Sequence, residues 1–414
     1  MGERALVHVT VSAGRRGVNP LRDAPPVLWL TATLAVAVAH TAVPVPRWMM
    51  IHLLLLGAVS HSIVVWSQHF SDALLRTAPP RHLAAKIGPR LVLLNAGVLL
   101  VVVGVLADTW AITAIGTAAV IIVAAAHAAL LVAQMRRSLP ARFSATVRFY
   151  VAAATLLTVG VGIGAVLARG VSGPLDERLH LAHLALNVLG WIGLTVLGTL
   201  ITLWPTLLGT RIDQATATLA VRALPVLVAG VGLVVLGAAA DQRWWVTVGL
   251  AVYVVGVAMA GRGLLAHART RPPTTYASMS IGAGLIWWAA GLVIITAGSI
   301  TAPTWEEFAA TLDYVAPFLA AGFAAQVLLG ALSYLVPTAL GGGPARSRVS
   351  HREFNRGATF RIVVINAGLL VYALPAPSPV RLVAAASVLA AFAAFLVLLA
   401  RATHGWLRSR TTEN

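Results

Sequence analysis

Twelve histidines and no cysteine set the chemistry open to this chain of 414 residues. Without thiolates there are no disulfides, no sulfur-ligated metal and no thioether-attached haem, which leaves imidazole, methionine and carboxylate as donors. His180 and His183 stand three positions apart and share one helix face, which Asn187 continues a turn later. That pair can chelate one ion; imidazole suits copper, iron and zinc, and His52 or His40 would supply further ligands. The other reading of the pair is an interfacial loop edge. His52 lies at a depth where a haem could be held edge-on between helices. His61, nine residues on, sits about half a turn around and ~13.5 Å further along, so the two serve different neighbours. For His61 both a second cofactor ligand and a hydrogen-bonded core residue are open.

The remaining histidines have plainer readings. His69 falls in the aromatic, polar run Trp66 to Phe70, and His127 is an isolated interior histidine. His8, His82, His267, His351 and His404 face solvent or headgroups.

The elements that must position these groups are membrane helices. Hydrophobic residues make up 59% of the chain and charged residues 10%, where a soluble domain carries about 25% charged. Twelve apolar stretches of roughly spanning length fall near 27–43, 48–70, 90–107, 110–135, 147–169, 180–205, 218–239, 244–266, 279–300, 315–338, 359–375 and 380–404. Among 30 Lys and Arg, only Arg47, Arg169, Arg178, Arg243 and Arg381 fall in alternate gaps on one side. The positive-inside rule then places both termini in the cytoplasm and the chain in the inner (plasma) membrane. The net charge of +17 reads as an orientation signal beside anionic headgroups rather than a nucleic-acid surface. The expectation is an all-α bundle over 27–404, with cytoplasmic segments at 1–26 and 405–414. The stretch Gly341 to Thr359 reads as a loop.

Leu56-Gly57-Ala58, Leu197-Gly198-Thr199 and Leu329-Gly330-Ala331 echo one another in spans two, six and ten. The last two share Pro-Thr endings at Pro205-Thr206 and Pro337-Thr338. Such an echo points to three parallel four-helix units, unlike the inverted repeats of many carriers. Asp108, Asp176, Glu177, Asp241, Glu306, Glu307 and Asp313 fall in or beside outer loops, so no carboxylate is expected within a span. That argues against a carboxylate proton relay.

Twelve spans, three units and histidines in spans two and six resemble the haem-copper oxidase superfamily, and more closely its relatives of the NnrS type. The wording His52-Leu-Leu-Leu-Leu-Gly57, Trp66 to Arg76 and Leu186-Asn187 through Gly209 is similar to membrane regions of actinobacterial proteins, some fused to copper oxidase domains. The resemblance implies His52 as a second-span haem ligand and places His180 or His183 where span six approaches copper. It also implies roles in nitric oxide, copper or respiratory redox handling, with an extracytoplasmic copper protein as a partner. The chain departs from true oxidases in having no histidine in span ten and no histidine pair around span seven, which argues against two-haem oxygen reduction. A carrier, accessory subunit or scaffold without cofactor is the alternative.

Overall fold

A computed structural model describes residues 19–76, 87–138, 144–211, 214–340 and 343–411. The described chain is helical throughout: α1 (Pro20–Val38), α2 (Pro46–Leu75), α3 (Ile87–Leu106), α4 (Trp110–Arg137), α5 (Ser144–Ala168), α6 (Pro174–Leu208), α7 (Gln214–Ala239), α8 (Arg243–Thr270), α9 (Tyr276–Thr301), α10 (Trp305–Leu340), α11 (Gly343–Phe354), α12 (Ala358–Ala373) and α13 (Ser378–Thr411). Eleven helical stretches among these residues are long and apolar enough to cross a membrane. Large apolar side chains such as Leu28, Ile122, Ile286, Val293, Phe360 and Val383 lie exposed around the bundle, as lipid contact allows and water does not. The protein is a multi-pass membrane protein.

Three helices form the centre. In α2, α6 and α10 the most apolar stretch is 67, 83 and 78% buried, against 22 to 50% in the other spanning stretches. These are also the longest of the spanning stretches, at 30, 35 and 36 residues, and each touches the other two.

Each central helix carries one π-helical segment, at Leu53–Val59, Ala185–Gly193 and Phe318–Ala325. Bonding to the fifth residue widens the turn and leaves carbonyls to be met by side chains. Ser60 Oγ donates to the Leu55 carbonyl at 2.8 Å, Tyr253 Oη of α8 to Leu189 at 2.8 Å, and Gln326 Nε2 to Gly322 at 2.8 Å. Every segment also holds a glycine, Gly57, Gly190 and Gly322, at almost equal intervals. A Cβ on these glycines would meet Trp29 at 2.8 Å, Leu156 at 2.9 Å and Trp287 at 2.7 Å, each on the preceding helix of the bundle. The Leu-Gly echo is thus in register between α6 and α10 but not with α2, where Gly57 is itself the π-segment glycine.

Other expectations are corrected. The first helix begins at Pro20 rather than 27 and ends at Val38. Asn19 caps it and Pro20 opens it, while Pro25 and Pro26 lie inside it, where each removes an i→i−4 hydrogen bond. The stretch expected as a loop forms α11. Helix α2 runs on past residue 70 to Leu75, and in that extension Asp72 accepts from Gln68 Nε2 at 2.8 Å and Gln134 Nε2 at 3.0 Å.

Candidate functional site

A cavity of about 700 Å³ opens where α2, α6 and α10 begin. All three π-helical segments contribute to its wall, through Leu55 and Leu56, through Asn187, Val188, Trp191 and Ile192, and through Leu319 and Ala320. The volume is that of an ordinary small-molecule or cofactor site, and π-helical turns recur at such sites. Its wall is apolar except for a few groups: His52, His180, His183, Asn187, Ser60, Thr113 and Thr117 within, and Arg47, Asp108, Thr109 and Asp313. Arg47 of α2 bonds Asp313 of α10 twice, at 2.5 Å to its carbonyl and 3.2 Å to its carboxylate.

Two imidazoles from different helices come together here. The rings of His52 and His183 lie 6.2 Å apart between centres, at 29° to one another. His52 Nδ1–H donates to the Trp48 carbonyl at 2.8 Å, and its ring stacks on Trp48 at 4.1 Å. His183 Nδ1–H donates across to the Gly160 carbonyl of α5 at 2.9 Å. A carbonyl only accepts, so it fixes the proton on Nδ1 of His52; on His183 the shorter contact with Gly160 favours the same tautomer, against Asn187 Nδ2 at 3.2 Å from the same nitrogen. Asn187 Nδ2 meanwhile donates to the His183 carbonyl at 2.7 Å. Each Nε2 keeps its lone pair and meets no hydrogen-bond partner among the described residues. A ring held by its far nitrogen on a backbone carbonyl is the arrangement that orients metal-ligating histidines.

The other candidates separate by position. His180 reaches the same cavity but is exposed, with Nδ1 on the Asp176 carbonyl at 3.0 Å. His40 is exposed in the turn after α1 and does not line the cavity. His61 is fully buried with both nitrogens engaged. Pro26 has no N–H to give the Arg22 carbonyl four residues earlier, and His61 Nε2–H supplies it at 3.0 Å. Its Nδ1 accepts from Asn95 Nδ2 at 2.9 Å, and Asn95 Oδ1 accepts from Trp29 at 2.7 Å. The same clasp recurs at α9, α10 and α12: Trp287 donates to Asn366 at 2.8 Å, and Asn366 pairs with Gln326 at 3.2 Å. His61 and Gln326 each stand four residues after the π-segment glycine.

His127 is buried with Ser67 Oγ 2.8 Å from its Nε2. His69 packs edge-on against Trp66 and Phe70. Sequence reasoning missed Trp48, Trp191 and Arg47 as parts of the site. Trp191, whose indole donates to Ser60 at 3.0 Å, ties α6 to α2 across the cavity floor. Nothing in a run of apolar residues separates such a tryptophan from a lipid-facing one.

Beside the cavity, Asp241 in the turn between α7 and α8 joins α6 to α10. It accepts from the Trp305 indole at 2.6 Å and pairs with Arg178 at 2.9 Å, and these two contacts, Trp305 first, hold its carboxyl below the usual range. No group of three or more metal-ligating side chains is assembled among the described residues. No protein-family model and no curated protein matches the chain.

Proposed function

We propose that this is an inner-membrane protein of three four-helix units, with both termini cytoplasmic, that holds one transition-metal centre, copper or haem iron, between His52 and His183. The observation that carries the reading is the pair itself. Two neutral imidazoles on separate helices, each braced through Nδ1, border one apolar cavity with a free Nε2. Two rings sharing one ion at about 2.0–2.1 Å per bond have centres roughly 6 Å apart, close to the 6.2 Å found. With two protein donors only, the remaining coordination positions belong to a porphyrin, to water or to a substrate. His180 stands where an ion or a haem edge would enter. The unit grouping draws support from the recurring π-segment glycines, and the orientation from the distribution of Lys and Arg.

Such a centre, in a cavity facing away from the cytoplasm, suits nitric oxide, copper or respiratory redox handling, alone or with an extracytoplasmic copper protein. A carrier or accessory role for a small neutral apolar molecule is the second reading, and the largely apolar wall favours it.

One experiment separates them. The protein is purified in mild detergent after growth with haem precursor and copper, its visible spectrum is recorded oxidised and reduced, and iron and copper are counted. A Soret band or near-stoichiometric copper, lost in His52→Ala and His183→Ala but kept in His40→Ala, is the expected result. A colourless, metal-free protein would leave the carrier reading in its place.

A further inference from the structure

We infer that the chain binds a phosphate oxyanion, that of an anionic lipid headgroup, at Arg361 beneath the amphipathic helix α11. Arg361 near the start of α12 is 5% exposed. Its guanidinium lies 3.8 Å over the Tyr276 ring, and Nη2 donates to the Phe354 carbonyl at 2.5 Å. Nε and Nη1 have no partner, and among the described residues no carboxylate pairs with it. The nearby Glu353 is taken by Arg356 at 3.2 Å and Arg401 at 3.4 Å. A cation taken out of water without a counter-charge is costly, so this group is a standing demand for an anion.

The surroundings sharpen that demand. Arg361 sits where α9 and α12 both begin, so the positive ends of two helix dipoles add to its charge. The first N–H of α9 is bonded by Asn355 Oδ1 at 2.7 Å, which draws the 355–357 turn against the same place. Arg348, Arg352 and Arg356, on α11 and the turn after it, are exposed, and Arg356 is paired with Glu353. Nε and Nη1 lie on opposite sides of Nη2, so a phosphate oxygen accepts from one of them, and the second N–H of Nη2 can complete a fork only on the side its bond to Phe354 leaves open. The lipid source follows from the flanks: Phe360 and Val363, on either side of Arg361, are 73 and 57% exposed on the apolar surface, where acyl chains lie. The free N–H groups are closed off by protein, so binding as inferred requires the end of α11, held by Phe354 and Asn355, to lift from Arg361.

The test uses the full chain in phosphatidylcholine nanodiscs, with and without phosphatidylglycerol or inorganic phosphate, read by thermal unfolding and by native mass spectrometry. Phosphatidylglycerol is expected to raise Tm and to stay bound on the released protein. Arg361→Gln should lose at least two-thirds of the rise and the bound lipid, Arg361→Lys part of both, and Arg352→Gln neither. If Arg361→Gln does not fold, Arg361→Lys and the lipid retained by the unaltered chain still decide the matter. An undiminished rise in both Arg361 variants, or no lipid retained by the unaltered chain, overturns the site. A full rise with inorganic phosphate, to which phosphatidylglycerol adds nothing, overturns the lipid assignment.

Discussion

His183 owes its place to two glycines on α5. A Cβ at Gly164 would stand 2.8 Å from its Cε1, and one at Gly160 would stand 2.7 Å from Asn187 Oδ1. Gly164→Ala therefore pushes the ring from its position without removing the imidazole. For the centre proposed above, affinity for the metal, read by elemental analysis at limiting metal, is expected to fall by about tenfold, the equivalent of 1.4 kcal/mol. His61 obeys a different logic. His61→Leu removes the donor to the Arg22 carbonyl and leaves one Asn95 N–H without its acceptor, which costs about 1–3 kcal/mol and should lower Tm in detergent while any metal stays bound. The sequence could sort the histidines by depth, and it brought His52, His180 and His183 to the same end. It could not tell a braced pair from a clasp. That distinction rests on which carbonyl lacks an N–H and on which helix stands opposite, and neither follows from spacing along one helix.

The positions of most helices were legible, because a run of apolar residues long enough to cross a bilayer has few other structures open to it. Where reading failed, another force outweighed hydropathy. The start of α1 is set by Asn19 and Pro20, and α11 is a short, strongly polar stretch that hydropathy cannot tell from a loop. The π-helical segments left no mark in composition, since the offset of a backbone bond is decided by neighbours such as Trp29 and Trp287. Those neighbours are held: both indoles donate to asparagines and cannot easily yield. Gly322→Ala should accordingly cost about 1–3 kcal/mol by crowding, and Gly162→Ala, which meets nothing within 4 Å, far less. The comparison is made by thermal unfolding of the two variants side by side. The latch at Asp241 has its own signature. Its folded carboxyl titrates below the unfolded one, so its contribution is present at neutral pH and is lost as pH falls through the acid range. Asp241→Asn should flatten that part of the pH-stability profile.

The whole molecule can be oriented with one reagent, because the chain has no cysteine of its own. A cysteine in place of His40 or Ala376 should react with an impermeant maleimide on intact cells, and one in place of Arg352 only after the membrane is opened. The reverse pattern would turn the bundle over and place the cavity toward the cytoplasm. Composition was enough to show a membrane protein. The central trio α2, α6 and α10 was not readable from hydropathy, since their stretches average 1.8 to 1.9 while lipid-facing α7 reaches 2.4. Hydropathy does not rank burial here: α8 and α9 average 1.8 as α2 does, yet are 39% buried against its 67%.

The π-helical segments have a mechanical consequence. In a straight helix every side chain is locked in angle to every other, so altering one end alters the whole. A wide turn breaks that lock. Tightening the segment at 53–59 to α-helical turns with no residue removed would rotate His52 by roughly 100° relative to His61. The cavity would lose a wall while the clasp with Asn95 kept its fit. Each central helix is therefore two rotors on one shaft, and the three couplings lie in one layer around the cavity. The half that borders the cavity can be re-phased, by design or by descent, against a half that continues to hold the bundle together.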